Sequence, residues 1–302
     1  MTAGRWELLR ALGAVAGDPA DARKVLAALG LEPGDGASHT EVFVLNCPPY
    51  ASVYLGAEGG LGGEGGDRVA GFWRAIGLTP PAEPDHLTSL FSLYAALGEA
   101  GQARQARQAR QAEDRSAVSG VIATETAERS SCHARRALFW EHLWPWLPGY
   151  LGAVTDVGVP ALGAWADLTR QALTAERAGQ SPDALPLALR EAPPPLTGDE
   201  GLDELLDALV TPVRSGMILT RRALADGAGQ AGAGHRIGER RFTLRAMLEQ
   251  EPERTLRWLA DEAEHWSARH SASALDDPAH QWWAARAFAT ATILRASVAV
   301  TP

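Results

Sequence analysis

Cysteine is scarce in this 302-residue sequence, and long apolar runs are missing. The two cysteines, Cys47 and Cys132, stand far apart, which excludes a disulfide framework and a cysteine-rich zinc site. No apolar run approaches the roughly 20 residues that are needed to cross a bilayer. The polar N-terminal stretch has no apolar core of the kind found in a signal peptide. We therefore expect a cytoplasmic protein without stable insertion into a membrane.

Lysine is almost absent as well, with Lys24 the single example among 28 basic residues. Acidic residues outnumber basic ones by 37 to 28, which gives a formal net charge of −9. The acidic excess lies in residues 1–100 and 132–211, whereas residues 212–302 are slightly basic. An acidic body argues against a general nucleic-acid binder and suits a cationic partner.

Helical periodicity dominates what is present. Apolar residues recur every three or four positions in residues 68–76, 84–98 and 160–178, which predicts amphipathic helices. Asp85 falls in the predicted first turn of the second of these helices, where a carboxylate is favourable. Only Glu41–Leu45 has strand character, and one short run cannot make a sheet. The predicted fold class is therefore all-α, a helical bundle.

A proline-rich stretch divides the chain. We predict a helical core over residues 1–180, a linker over residues 181–199 and a C-terminal helical part over residues 200–302 that packs on the core. Within the first region, Gln102–Ala112 repeats Ala-Arg-Gln three times and has no apolar face. This repeat predicts a solvated loop or a frayed helix.

Two glycine-rich stretches, Gly60–Gly65 and Gly227–Gly232, match the spacing of a dinucleotide-binding loop. Such a site needs a strand before the glycines, so that the turn aims the pyrophosphate at a helix N-terminus. Neither stretch follows a convincing strand, and the chain has 31 glycines. We expect both to be chance matches.

Two Glu-x-x-His motifs leave a helical di-metal enzyme as an alternative function. Glu83 with His86 and Glu262 with His265 have the spacing that builds di-iron sites in four-helix bundles. Glu83 precedes Pro84, however, and so lies at a helix start rather than in mid-helix facing a core. Helix capping and a solvated helix face are the competing interpretations of these motifs.

An arginine-rich segment leaves a second alternative, a phosphate- or RNA-binding module. Seven arginines lie between Arg214 and Arg245, against only two acidic residues. Phe242 is the one aromatic residue among them, which weakens the case for nucleic acid. We favour pairing of these arginines with acidic residues of the same protein.

Motifs for nucleophilic catalysis are missing. Neither G-x-S-x-G nor S-x-x-K occurs, and Cys132 adjoins His133, although neighbours on a helix do not face each other. The absence of these motifs is weak evidence against an enzyme.

Three segments stand out by their order and spacing. They are PPYASVYLG at 48–56, RVAGFWRAIGL at 68–78 with EPDHL at 83–87, and FWEHLWPWLP at 139–148. Together they resemble the TorD/DmsD/NarJ family of cytoplasmic redox-enzyme maturation chaperones. The resemblance covers roughly residues 41–178, and the C-terminal part looks like the extension of longer members.

The resemblance implies an all-helical chaperone dedicated to one molybdopterin-containing oxidoreductase. Family members bind the twin-arginine signal peptide or N-terminal segment of the apo-enzyme and hold it until the molybdenum cofactor is inserted. The expected partner is therefore an apo-molybdopterin oxidoreductase subunit, with no nucleic acid and no cofactor on the chaperone itself. Both a monomer and a homodimer are compatible with the sequence.

A peptide of this kind offers two guanidiniums followed by an apolar stretch, so its receptor needs a carboxylate and an apolar groove. Glu83 and Asp85 are the expected carboxylates, and aromatic rings are expected to line the groove. The expected site residues are Tyr50, Tyr54, Glu83, Pro84, Asp85, His86, His142, Pro145 and Trp146. For Tyr54 a place in the core is favoured over a peptide contact, and for Trp146 both remain open.

Overall fold

The computed structural model describes residues 3–114, 132–178, 180, 184–234, 238–272 and 277–300. Within these ranges the chain forms helices and loops without a β-strand, and an isolated bridge pairs Tyr50 with His86. The predicted all-α class is confirmed. Among the helices of these ranges, none combines the length and the apolar character that a membrane crossing requires.

The helices fall into an N-terminal and a C-terminal series. The first series is α1 (Ala3–Ala14), α2 (Pro19–Ala28), α3 (Gly36–His39), the π-helix π1 (Thr40–Asn46), α4 (Ala51–Leu55), α5 (Gly63–Ala75), α6 (Leu87–Asp114), the π-helix π2 (Leu138–Leu143), α7 (Leu147–Asp156) and α8 (Pro160–Arg177). The second is α9 (Leu187–Arg190), α10 (Leu202–Val210), α11 (Pro212–Ser215), α12 (Arg221–Ala231), α13 (Arg240–Gln250), α14 (Pro252–Ala272) and α15 (Pro278–Val300).

Prolines and a capping aspartate mark the starts of several helices. Proline opens α2, α8, α14 and α15, where its missing N–H leaves no hydrogen bond unmade. Asp277 caps α15, because its Oδ1 accepts the N–H groups of Ala279 (3.0 Å) and His280 (3.3 Å). Pro145 separates π2 from α7, since a proline inside the helix would break its hydrogen bonding.

Close packing joins the long helices. Gly98 of α6 lies under the Trp6 ring of α1, and a Cβ at Gly98 would come within 2.5 Å of that ring. One cluster of buried apolar side chains includes residues from Trp6 of α1 to Leu294 of α15. The second helical series thus shares this cluster with the first.

Three local predictions are corrected or refined by the structure. Glu41–Leu45 is not extended: it lies in π1, whose buried Val42 and Phe43 pack into the core. The second predicted helix begins at Leu87 rather than at Pro84, so Asp85 precedes it. The Gln102–Ala112 repeat is helical, as the end of α6.

The proline-rich stretch is partly packed rather than a free linker. Residues 184–199 include α9, and Ala188, Leu189 and Leu196 belong to the buried cluster. Residues 181–183 lie outside the described part of the chain. The division into a core, a linker and a C-terminal part stays a prediction.

Candidate functional site

A short antiparallel pairing ties the chain before α4 to the chain before α6. The Ala51 N–H donates to the Asp85 carbonyl (3.1 Å), and the Leu87 N–H donates to the Pro49 carbonyl (2.8 Å). The two sequence segments 48–56 and 83–87 therefore meet at one place, although about 30 residues separate them.

Tyr50 and Glu83 meet at the surface of this joint. The Tyr50 hydroxyl donates to Glu83 Oε1 at 2.8 Å, and the Tyr50 ring packs edge-on against His86 with centroids 4.7 Å apart. Burial raises the pKa of Tyr50 to about 12, together with the hydrogen bond to Glu83 and its negative charge. The tyrosine thus stays protonated and holds an exposed carboxylate in place.

Asp85 turns inward from the same joint. Its side chain is only 3% exposed, and its Oδ2 accepts the Ser52 N–H at 3.0 Å. The carboxylate therefore satisfies a free N–H at the start of α4, not at the start of α6 as the sequence pattern predicts.

His86 fixes the start of α6. Its Nδ1 accepts the Thr88 N–H at 3.2 Å, which places the ring proton of the neutral form on Nε2. Burial lowers the pKa of His86, although the charges of Glu83 and Asp85 oppose this effect. The imidazole is thus a neutral cap beneath the Tyr50 ring.

An open groove of about 760 Å³ runs along this joint and along α5. Its walls carry three carboxylates, on Asp67, Glu83 and Asp85, against one guanidinium, on Arg74. Leu61 adds apolar surface and is 64% exposed. The remaining lining residues are Tyr50, Gly62, Gly63, Gly66, Ala70, Thr79, Pro80, Pro81, Ala82 and Pro84. The groove is therefore acidic, with an exposed apolar edge.

Tyr54 and Trp146 lie behind the groove, in the core. Their rings stack with centroids 5.1 Å apart and an interplanar angle of 10°, and each residue is 2% exposed. The Tyr54 hydroxyl donates to the Pro48 carbonyl (3.0 Å), and Trp146 Nε1 donates to the His142 carbonyl (2.8 Å). Their polar atoms are thus satisfied internally, as buried tyrosine and tryptophan require.

His142 and Pro145 are buried too. Burial lowers the pKa of His142 to about 4, with a further contribution from the charge of Arg68. The Pro145 carbonyl accepts the Trp283 Nε1–H at 2.6 Å, which connects the chain before α7 with α15. In this conformation these two residues support the core rather than the groove surface.

The structure therefore brings together part of the predicted set. Tyr50, Glu83, Pro84 and Asp85 line one groove, and His86 packs against Tyr50. Tyr54, His142, Pro145 and Trp146 are buried. Peptide contact by any of the nine residues stays a prediction.

Sequence reasoning missed the opposite wall of the groove. Leu61, Asp67 and Arg74 face this space from α5 and the loop before it. A useful signal was available in the two glycines at the start of α5. Gly62 and Gly63 have φ of 75° and 58°, and a residue with a Cβ adopts such a turn only with strain.

The di-metal alternative receives no support from the described residues. Across the described ranges, no three or more His, Cys, Asp and Glu side chains are grouped so as to hold a metal. Glu262 accepts the Trp266 Nε1–H at 3.0 Å, and burial raises the pKa of Glu262. This glutamate therefore serves packing within α14.

The arginine-rich segment pairs with acidic residues of α10, as favoured from the sequence. Arg241 bonds to Asp203 (2.6 Å) and Asp207 (2.5 Å), and Arg245 also pairs with Asp203. Arg214 lies 3.5 Å from Glu204. Arg236 lies outside the described residues. The phosphate- or RNA-binding alternative at this segment is not favoured.

The second glycine-rich stretch serves helix packing. Gly227 lies in α12, and a Cβ there would come within 2.2 Å of the Trp258 ring of α14. Gly232 ends α12 in the left-handed region, with φ of 75°. The stretch follows no strand, which removes the geometry that a dinucleotide loop needs.

Residues 36–151 match the family model described as the nitrate reductase delta subunit. This range contains the joint and every residue of the acidic groove. The match supports the resemblance to this family over residues 36–151. No curated protein matches the chain.

Proposed function

We propose that this protein is a maturation chaperone for a molybdoenzyme, and that its acidic groove binds the N-terminal segment of the apo-enzyme. The nitrate reductase delta family comprises molybdoenzyme maturation chaperones. The expected segment is of the twin-arginine signal-peptide type, and binding lasts until the molybdenum cofactor is inserted. In this role the chain acts in the cytoplasm and without catalysis.

One observation carries the proposal: an exposed carboxylate, Glu83, is held by Tyr50 on the wall of an acidic groove inside the matched range. A fixed carboxylate loses less freedom on pairing with a guanidinium than a mobile one does. Asp67 adds negative charge on the opposite wall, and Asp85, although almost fully buried, also lines the groove. Leu61 and the prolines at 80 and 81 offer apolar contact to the stretch that follows the arginines.

The test is fluorescence anisotropy with a labelled peptide that has two consecutive arginines followed by an apolar stretch. We expect saturable binding, and weaker binding of a peptide in which glutamines replace both arginines. Glu83→Gln keeps an acceptor for the Tyr50 hydroxyl but removes the charge, and should weaken binding about three- to fivefold, as for an exposed ion pair.

Glu249→Gln is the matched control, because Glu249 is an exposed glutamate of α13 outside the groove. This control should bind the arginine peptide as the wild type does. Equal affinity for the two peptides, or no difference between Glu83→Gln and Glu249→Gln, would reject the groove as the peptide site.

A further inference from the structure

A second pocket, of about 430 Å³, opens between α7, α8 and the C-terminal helices α14 and α15. It shares no lining residue with the acidic groove. The residues that line it are Trp144, Pro148, Gly152, Thr155, Asp156, Arg170, Leu173, Thr174, Arg177, Arg269 and His280. Its volume falls within the range of roughly 300–1,000 Å³ that is typical of small-molecule sites.

Three arginines line this pocket, although the whole protein carries a formal net charge of −9. Arg170 and Arg177 stand two turns apart on α8, and Arg269 reaches the pocket from α14. Asp156 is the one carboxylate among the lining residues, against these three guanidiniums. Each guanidinium pairs with an aspartate, namely Asp167, Asp277 or Asp156, so the pocket would hold an anion through guanidinium donors rather than through a net positive charge.

Arg170 and Arg269 keep donors for a ligand. Asp156 accepts from both terminal nitrogens of Arg269, at 2.6 and 3.0 Å, and Asp167 accepts from one nitrogen of Arg170 at 2.5 Å. A guanidinium has five N–H groups, so these bonds leave others available. Both aspartates are about half exposed, and exposed ion pairs are weak enough for a bound anion to compete with them.

Two further features belong to the pocket itself. Gly152 lets Arg269 lie against the backbone of α7, because a Cβ there would come within 3.0 Å of the guanidinium nitrogen. The His280 ring is 4% exposed, and its Nδ1 lies 3.3 Å from Asp277 Oδ2.

We propose that this pocket binds a small molecule that carries a phosphate group on an apolar or aromatic body. The planar forks of Arg170 and Arg269 match phosphate oxygens in charge and geometry. The Arg177 guanidinium lies 5.5 Å from the centroid of the Trp144 ring and pairs with Asp277 at 3.3 Å, which fixes its position in the pocket. Trp144, Pro148 and Leu173 supply apolar walls for the rest of the ligand. This inference does not depend on the proposed chaperone function.

Phenyl phosphate is the probe, titrated into the full-length protein by isothermal calorimetry at constant ionic strength. Phenol tests the ring without the phosphate, and inorganic phosphate tests the phosphate without the ring. We expect saturable binding of phenyl phosphate at one site, and weaker binding of either half. Arg170→Gln and Arg269→Gln should each weaken binding about tenfold, the size of one charge-assisted hydrogen bond.

Arg257→Gln is the matched control: Arg257 lies on α14 and pairs with Glu253 outside the pocket. This variant should bind phenyl phosphate as the wild type does. Absence of saturable binding, equal binding of phenol, or equal loss in Arg257→Gln and the two pocket variants would overturn the proposal. Thermal unfolding of each variant, followed by circular dichroism, verifies that the comparison is made between folded proteins.

Discussion

Individual tyrosines show how far burial controls ionisation in this protein. The chain has four tyrosines, and burial is the main cause that raises the pKa of each. Tyr50 reaches a pKa of about 12, and the pKa values of Tyr54 and Tyr150 lie well above the ordinary value of 10. None of these hydroxyls is thus available as a base near neutral pH.

The first prediction concerns alkaline titration. Because the pKa of each tyrosine is higher in the folded state than in the unfolded state, the protonated tyrosines stabilise the fold. This stabilisation is fully present below pH 10 and is lost as the pH rises above 10. We expect the near-ultraviolet absorbance of tyrosinate to stay flat in the native protein up to about pH 11. All four tyrosines should then ionise together on unfolding. A tyrosine that titrates near pH 10 while circular dichroism still reports the native fold would contradict this account.

The second prediction concerns Asp277 in acid. Burial alone would raise the pKa of Asp277, but hydrogen bonds from His280 and Trp144 and the charge of His280 lower it to about 2, from an ordinary value of 3.8. This carboxylate therefore stabilises the fold above about pH 4, by about 2 kcal/mol, and the contribution is lost as the pH falls towards 2. Asp277→Asn keeps a capping side chain and removes the charge.

The measurement is the free energy of unfolding in urea between pH 5 and pH 2.5. The wild type should lose more stability over this interval than Asp277→Asn does. Asp226→Asn, at an exposed i,i+4 pair with Arg222, is the control and should follow the wild type. Parallel curves for the wild type and Asp277→Asn would show that the pKa of Asp277 is not depressed in the folded protein.

Residue chemistry could be predicted from the sequence more readily than residue burial. The sequence shows directly that carboxylates lie near Pro84 and aromatic rings near Pro145. In the structure, the carboxylates line a groove. The partner of Glu83 is Tyr50, 33 positions earlier, and no local pattern encodes that contact. Trp146 beside a helix break is compatible with exposure, but its stacking on Tyr54 is a tertiary contact.

At the scale of elements, hydrophobic periodicity predicted which segments are helical. It was less accurate on the residues at which the helices begin. An apolar run such as Glu41–Leu45 is compatible with either a strand or a buried helix. The structure makes it π-helical, with Asn46 bonded back to the Glu41 carbonyl at 2.8 Å. The start of α6 shifts to Leu87 because His86 supplies its cap and the preceding residues pair with the chain before α4.

The third prediction concerns the contact between α12 and α14. Gly227 lies against Trp258, so Gly227→Ala should lower the free energy of unfolding by about 1–3 kcal/mol, the cost of overpacking. Gly229→Ala lies in the same helix with open space around its Cβ. This second substitution should raise the free energy of unfolding by about 0.5–1 kcal/mol, because alanine favours a helix.

Urea denaturation of both variants gives the comparison directly. Opposite signs for the two glycines would confirm that packing on Trp258, rather than the glycine-rich motif, accounts for Gly227. Equal effects at both positions would contradict the described contact between the two helices.

At the scale of the whole molecule, carboxylates line one cavity and arginines line another. The acidic groove lies within residues 36–151, which match the family model. The arginine-lined pocket lies where α7 and α8 meet the C-terminal helices. Segment charges predicted an acidic body suited to a cationic partner, and the groove is one acidic surface of that body. They did not predict the pocket, because Arg170, Arg177 and Arg269 come from distant positions that only the tertiary fold assembles.

The fourth prediction is that peptide binding in the groove depends on salt. Glu83 and Asp67 are exposed to solvent, so their attraction to arginine is screened over about 8–10 Å at moderate ionic strength. We expect the affinity for the twin-arginine peptide to fall as salt rises. The glutamine-substituted peptide should show little change, and equal salt dependence of the two peptides would count against a charge-driven contact.

The most direct test of the central claim is a double-mutant cycle between Glu83 and the arginines of the peptide. Affinities are measured for the wild type and Glu83→Gln, each with the arginine peptide and with its glutamine counterpart. If Glu83 contacts an arginine, the two changes are not additive, and the coupling should be about 0.5–1 kcal/mol. Additive effects, with a coupling near zero, would show that the peptide does not pair with Glu83 and would contradict the assignment of this groove.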